Sequence, residues 1–321
     1  HCCKIVSKDS EWMKHPWCKE GVFKIAFPKR NLNLITDGVS QLMCFLMGGH
    51  LDIRIIQSCR LMNVEGLELW FRSRFGITGI RHIVGVFDRP LVGGIIKPKT
   101  GLFPTQLLEV VKQLVDGGAD FIKEDEILGG PACCPLWERL AVLQPYLRDK
   151  QVVYCYCINA DFPYSFQRAE LAADFNANGV HVNLWSGFGT YKAVREGGVP
   201  LFLHFQSSGH HIFTCPRNAY SVSWLFLCKL ACLMGVDSIH VGMSGGYSHE
   251  EDDLDAIVKV CQEHNVLPVL SCGMNPSLVP QLAKRFGVDW LANSGGWVHG
   301  HPQGTLAGMR EMRKAVEACK S

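Results

Sequence analysis

Residues 117–126 read Gly-Gly-Ala-Asp-Phe-Ile-Lys-Glu-Asp-Glu, so a short apolar run closes on Lys123, Asp125 and Glu126. Two carboxylates at this spacing supply hard oxygen donors, the kind that hold a divalent cation such as Mg2+. Lysine is a poor ligand for such an ion. Beside the carboxylates it must either move protons or be converted chemically into an oxygen donor. The plainer alternative is a strand end with three solvated charges. The choice depends on whether other elements bring polar groups to the same place.

From residue 93 onward, short apolar runs alternate with amphipathic stretches. Strands are expected at 93–99, 121–126, 152–159, 179–184, 200–205, 238–242, 268–273 and 289–295, each followed by a helical stretch. Over 104–115, Leu107, Leu108, Val111, Leu114 and Val115 recur on a helical period, and Gly117-Gly118 ends the run. Over 248–261 an acidic first turn precedes Leu254, Ile257, Val258 and Cys261 on one face. Continuous apolar strands belong to a parallel sheet covered on both sides. Eight strand–helix units predict an α/β fold, a closed (β/α)8 TIM barrel over residues 91–321. An open doubly wound sheet is the alternative, but no GxGxxG follows the first strand.

Residues 1–90 have a different texture and predict a small α+β domain of ferredoxin-like type, incomplete at its N-terminus. Within it a strand is expected at 21–27, short helical or mixed pieces at 37–46 and 53–59, and a strand or helix at 67–75. The segment 88–91, Asp-Arg-Pro-Leu, is the expected hinge into the barrel.

A barrel of this kind builds its site at the C-terminal ends of its strands, and polar residues fall there in all eight. They are Lys97 and Lys99; Lys123, Asp125 and Glu126; Asn159; Asn183; His204 and Gln206; His240; Ser271 and Gly273; and Asn293 with Gly295 and Gly296. Any one of them could be an ordinary core or surface residue. The repetition favours a site. Gly295-Gly296 could offer backbone N–H groups to a phosphate, and the glycine-rich stretch 242–247 reads as a lid or a plain loop.

Composition narrows the partners. The net charge of +2 comes without a basic block, so no nucleic-acid footprint is expected. The most apolar stretch, 221–236, contains Lys229 and predicts no membrane span. Fifteen cysteines are scattered, many in apolar segments, without zinc-finger spacing. They predict a reducing, cytoplasmic setting rather than a disulfide framework.

Four motifs carry a resemblance that runs over nearly the whole chain: Gly94-Ile-Ile-Lys97-Pro-Lys99, the 117–126 segment, Ser238-Ile-His240-Val-Gly242, and Gly295-Gly-Trp-Val-His-Gly-His301-Pro302. The chain resembles the large subunit of ribulose-bisphosphate carboxylase (RuBisCO), and most closely its RuBisCO-like, form IV relatives. That resemblance implies a Lys123 carbamylated by CO2 that binds one Mg2+ together with Asp125 and Glu126. It implies an acid/base role for Lys97, and it matches Lys99 to the second lysine of the same motif. His240 and Ser271 fall at substrate-binding positions, Gly295 and Gly296 at phosphate-binding ones. Gln206, His210 and Gly273 lie in the matching substrate-contact segments. A homodimer or higher homo-oligomer is implied as well.

Departures from the family pattern qualify the activity. Gln206 stands for a histidine, Ser207 for a phosphate-holding arginine, Tyr247 for the lid lysine, Gly49 for an active-site asparagine, and Trp297 for the third glycine of the GGG turn. Carboxylation of ribulose bisphosphate is therefore not expected, and a substrate with one phosphate or none is. The retained lysines favour decarboxylase or transcarboxylase-type chemistry on a small keto sugar-acid or ketose phosphate through an enediolate. An enolase or isomerase, as in methionine-salvage relatives, and a catalytically inert structural relative are the alternatives.

Overall fold

The computed structural model describes residues 4–8, 23–52, 56–62, 71–242 and 253–320. These fall into two compact units, divided between Gln57 and Ser58. In the first unit β1 (Lys4–Lys8) pairs antiparallel with β2 (Phe23–Ala26). A helix spans Leu34–Met47, opened by Asn33, whose side chain accepts from the Thr36 N–H. It is interrupted at Gly38, whose φ of 65° lies in the left-handed region. The Phe27 ring meets Phe45 edge-on at 5.3 Å. The strand and helix expected at 21–27 and 37–46 are thus both there.

The second unit is built on a closed parallel barrel. Its strands are β4 (Leu91–Ile95), β5 (Phe121–Lys123), β6 (Val153–Cys157), β7 (Gly179–Asn183), β8 (Phe202–Gln206), β10 (Ser238–Gly242), β11 (Leu267–Leu270) and β12 (Leu291–Ser294). They close in the order β10-β11-β12-β4-β5-β6-β7-β8. All eight expected strands are found, with ends moved by a few residues. A short parallel pair, β3 (Cys59–Leu61) with β9 (Tyr220–Val222), was not anticipated.

The lower interior of the barrel is apolar. Leu91, Phe121, Val153, Cys155, Phe202, Leu267, Val269 and Leu291 fill it, and Ile77, Ile80 and Val84 of the helix Gly76–Val84 close it from below. That helix packs as part of the barrel unit. The segment 88–91 is no hinge: Arg89 is buried and forks onto Asp120 at 2.7 and 3.0 Å, and Leu91 begins β4. A buried bidentate pair fixes backbone that a hinge would need free.

Outer helices cover the strands as their periodicity predicts. Pro104–Asp116 buries Leu107, Val111 and Leu114. Leu254–Glu263 buries Leu254, Ile257, Val258 and Cys261, with the Asp253 carboxylate accepting from the Ala256 N–H. The earlier first turn expected from 248, and Tyr247 with most of the stretch 242–247, lie outside the described residues. Among the described residues no helix is long and apolar enough to cross a membrane.

Candidate metal and catalytic site

Strand side chains alternate between faces, and β5 uses both. Lys123 points inward with 1% of its side chain exposed. Glu124 faces the helix layer, where Arg139 lies 2.9 Å away, the Tyr154 hydroxyl donates at 3.1 Å and the Cys157 N–H at 2.7 Å. Glu124 is therefore a structural anchor, and Lys123, Asp125 and Glu126 form the inner set.

Within that set, Lys97 Nζ lies 2.7 Å from Asp125 Oδ2, with Lys99 Nζ at 4.0 Å. Lys123 Nζ donates to the Glu124 carbonyl at 3.2 Å and stands 3.9 Å from Glu126 Oε2. Asn159 donates to the Glu126 carbonyl at 2.6 Å, and its own Oδ1 accepts from the Asn183 N–H at 2.7 Å. Gln206 Nε2 reaches Glu126 Oε2 at 3.2 Å. The other polar atom of that amide, Oε1, is buried without a partner among the described residues. Burial pushes the Lys123 ammonium below the ordinary lysine range, and the nearby Glu126 and Asp125 only partly oppose it.

His240 is buried between two hydroxyls: Ser207 Oγ at 2.8 Å from Nδ1, and Ser271 Oγ on Nε2. Burial, then the Lys123 charge, lowers its pKa to about 3, so at neutral pH the ring is neutral. Ser207, which stands where an arginine was expected, thus orients a histidine. His210 stacks on Trp224 with ring centroids 4.1 Å apart and meets Thr214 Oγ1 at 2.9 Å. Gly273 follows Cys272, and both have positive φ.

Gly295 is close to the lysine side of the site: a Cβ there would come within 3.3 Å of Lys97 Cε. Gly296 has open space around it and starts the short helix Gly296–His299. The structure therefore brings Lys97, Lys99, Lys123, Asp125, Glu126 and Gln206 together directly. His240 joins Ser271, and Gly295 joins Lys97. Gly49 belongs to the first unit.

Two features escaped the sequence reading. His181 is buried with neither ring nitrogen partnered among the described residues. Its inward position follows from the alternation Gly179, His181, Asn183. Trp185, tied to Asn183 Oδ1 through its backbone N–H at 3.0 Å, stands exposed on the rim.

Among the described residues no three His, Cys, Asp or Glu side chains converge as a ready-made metal cluster. Asp125 and Glu126 could supply two oxygen donors, and Lys123 would add a third if its amine became a carboxylate. A buried lysine shifted towards its neutral amine is the form that reacts with CO2, and the resulting carboxylate would add an oxygen donor. The residues present fit Mg2+ with a carbamylated Lys123.

Known proteins share this frame. A family model described as "Ribulose bisphosphate carboxylase large chain, catalytic domain" matches residues 76–265 and 259–321. The ribulose bisphosphate carboxylase of Methanocaldococcus jannaschii is 30% identical over 332 residues, spanning 94% of this chain and 77% of its own length. The 2,3-diketo-5-methylthiopentyl-1-phosphate enolase of Geobacillus kaustophilus is 30% identical over 321 residues, covering 94% of this chain and 76% of that one. Among solved structures, the octameric RuBisCO of Pyrococcus horikoshii superposes with a TM-score of 0.85 at 27% identity, over 99% of this chain and 77% of that chain.

Proposed function

Because the chain belongs to the ribulose bisphosphate carboxylase large-chain family, we propose that it is an enzyme that generates an enediolate from a small keto sugar-acid or a ketose monophosphate. One observation carries this reading. A buried lysine amine stands beside two carboxylates, and a second lysine is hydrogen-bonded to one of them. The Lys123 nitrogen would attack the carbon of CO2 and lose a proton, leaving a carboxylate that joins Asp125 and Glu126 in holding Mg2+. The ion, when bound, supplies Lewis-acid polarisation of a carbonyl.

The chain's own groups do the rest. Lys97, held by Asp125 at the mouth, is positioned to move the proton on the carbon next to that carbonyl. Lys99 adds a second cation on the same side. Gly295 and Gly296 leave their backbone approachable beside Lys97, which suits an anionic end of the substrate. Neutral His240, fixed by Ser207 and Ser271, would orient a substrate hydroxyl or carbonyl rather than carry charge.

Loss of CO2 from a β-keto acid, or its transfer, uses the same electron flow as proton removal, and the paired lysines Lys97 and Lys99 favour it. Enolase chemistry is the second reading, favoured by the Geobacillus kaustophilus relative. The match to an octameric structure supports a homo-oligomer.

The test is solvent deuterium exchange into candidate keto acids and ketose phosphates, followed by NMR with Mg2+ and bicarbonate present. Exchange that disappears in Lys97→Ala is expected. Absence of exchange in every candidate, with metal bound, would make the chain an inert relative instead.

A further inference from the structure

Inside the barrel, one step above its apolar filling, the packing changes character. Two residues on from Phe121, Phe202 and Leu291, the same three strands turn Lys123, His204 and Asn293 inward. β7 adds His181, the register partner of His204. All four residues are at most 1% exposed.

Hydrogen bonds within the protein do not complete this layer. Among the described residues, both ring nitrogens of His181, Nε2 of His204, both polar atoms of the Asn293 amide and Oε1 of Gln206 lack partners. The Glu124 carbonyl lies near His181 and the Gln206 amide near His204, yet neither closes a hydrogen bond with the ring. Lys123 places one of its three donors on the Glu124 carbonyl at 3.2 Å. Six unmet polar atoms gathered in one place are more than a native interior leaves unexplained. Gly93 keeps the space beside Asn293 open, because a Cβ there would come within 2.8 Å of Asn293 Oδ1.

The mix of donors and acceptors identifies the occupant. Burial holds both histidines well below their ordinary pKa, so each ring is neutral and pairs one N–H with one bare nitrogen. Asn293 adds two N–H donors and a carbonyl oxygen, and Gln206 adds a second carbonyl oxygen. An anion needs donors alone, and a metal cation needs acceptors alone. Water uses both.

We infer that the barrel interior around His181, His204 and Asn293 is a binding site for ordered water, a resident cluster that hydrogen-bonds the inner side of Lys123 and bridges His204 to Gln206. Gln206 donates to Glu126 Oε2 at 3.2 Å, so the cluster is joined to the carboxylates at the mouth. The site stands apart from the reaction proposed above, and its test needs no substrate, metal or bicarbonate.

High-resolution crystals of the wild-type protein, one set pressurised with xenon and one soaked in bromide, test it together with thermal melting of two variants. Water density within hydrogen-bond reach of both His181 and Asn293 is expected, with no xenon or bromide in the layer, since xenon enters dry apolar cavities. His181→Leu and, separately, Asn293→Leu should lower the melting temperature by at least about 2 °C, because each strands the groups that shared its water. In a dry layer the same replacements remove unpaired polar atoms and raise it. Three results would overturn the inference: rings and amide paired with protein groups and no water between them, xenon or bromide bound in the layer, or a melting temperature unchanged or raised in either variant. If neither variant folds, the wild-type crystals decide alone.

Discussion

A lysine with 1% of its side chain exposed costs free energy unless its surroundings neutralise it or use it. Lys123 was legible as unusual from residue type alone, because an amine beside two carboxylates at a strand end has few structural uses. Its neighbour Glu124 was not separable from it in sequence. Only the alternation along β5, and the Arg139 partner on the helix that follows it, assign Glu124 to the helix layer. Lys97 sits on Asp125 and is proposed to act on the substrate rather than on the ion. Lys97→Ala should therefore lower the exchange rate by at least about 10²-fold while Mg2+ affinity stays near wild type. A matching loss of both would instead make Lys97 part of the metal site. The buried histidines set an acid limit. His240 is held at about 3, and His181 and His204 well below the ordinary value, by burial first and then by the Lys123 charge. Unfolding raises each pKa, so the unfolded chain binds more protons in acid. The stability is whole above the unfolded value and falls as pH drops towards the folded one. At pH 5 His240 alone removes about 2 kcal/mol, and His181 and His204 act in the same direction. Urea midpoints measured from pH 7 to 5 should fall, and fall less steeply in His240→Gln. Equal slopes would contradict this.

At the scale of elements, the eight barrel strands were readable because each is a continuous apolar run closed by a polar residue. What the pattern could not fix was their ends, and the ends decide which side chains share a face. Gln206 belongs to β8 itself, two residues after His204, which is why both are inward. The floor was also hidden. Asp120 gathers Arg89, the Val92 N–H at 2.9 Å and Arg313 at 3.1 Å, joining β4, the start of β5 and the C-terminal helix Thr305–Glu317. These partners lie far apart in sequence, so no local signal announces them, and 88–91 looked like a hinge. Removing one member of a buried network strands the rest. Asp120→Ala should cost about 3–5 kcal/mol, seen as a large fall in melting temperature. A change within about 0.5 kcal/mol would show that the guanidinium groups find other partners.

Taken as a whole molecule, the chain has the barrel of its family, with Lys123, Asp125 and Glu126 as the proposed inner set and, by the resemblance read from the sequence, altered residues around them. Gln206 and Ser207 show what those changes do. One bridges Glu126 to Ser208, and the other caps His240, so both have structural duties in place of charge. The sequence-level reading identified the changes but not these duties, which depend on contacts between strands. The division into two units follows packing: the helix Gly76–Val84 buries its apolar face against the barrel floor.

The central claim is that Lys123 becomes an oxygen donor for Mg2+ beside Asp125 and Glu126. Its most direct test is an Mg2+ titration of the wild type and of Lys123→Met, with and without bicarbonate. Wild-type binding that tightens with bicarbonate, and a Lys123→Met variant that shows no such response, is the predicted result. Metal affinity that ignores bicarbonate, or that is the same in both proteins, would contradict it.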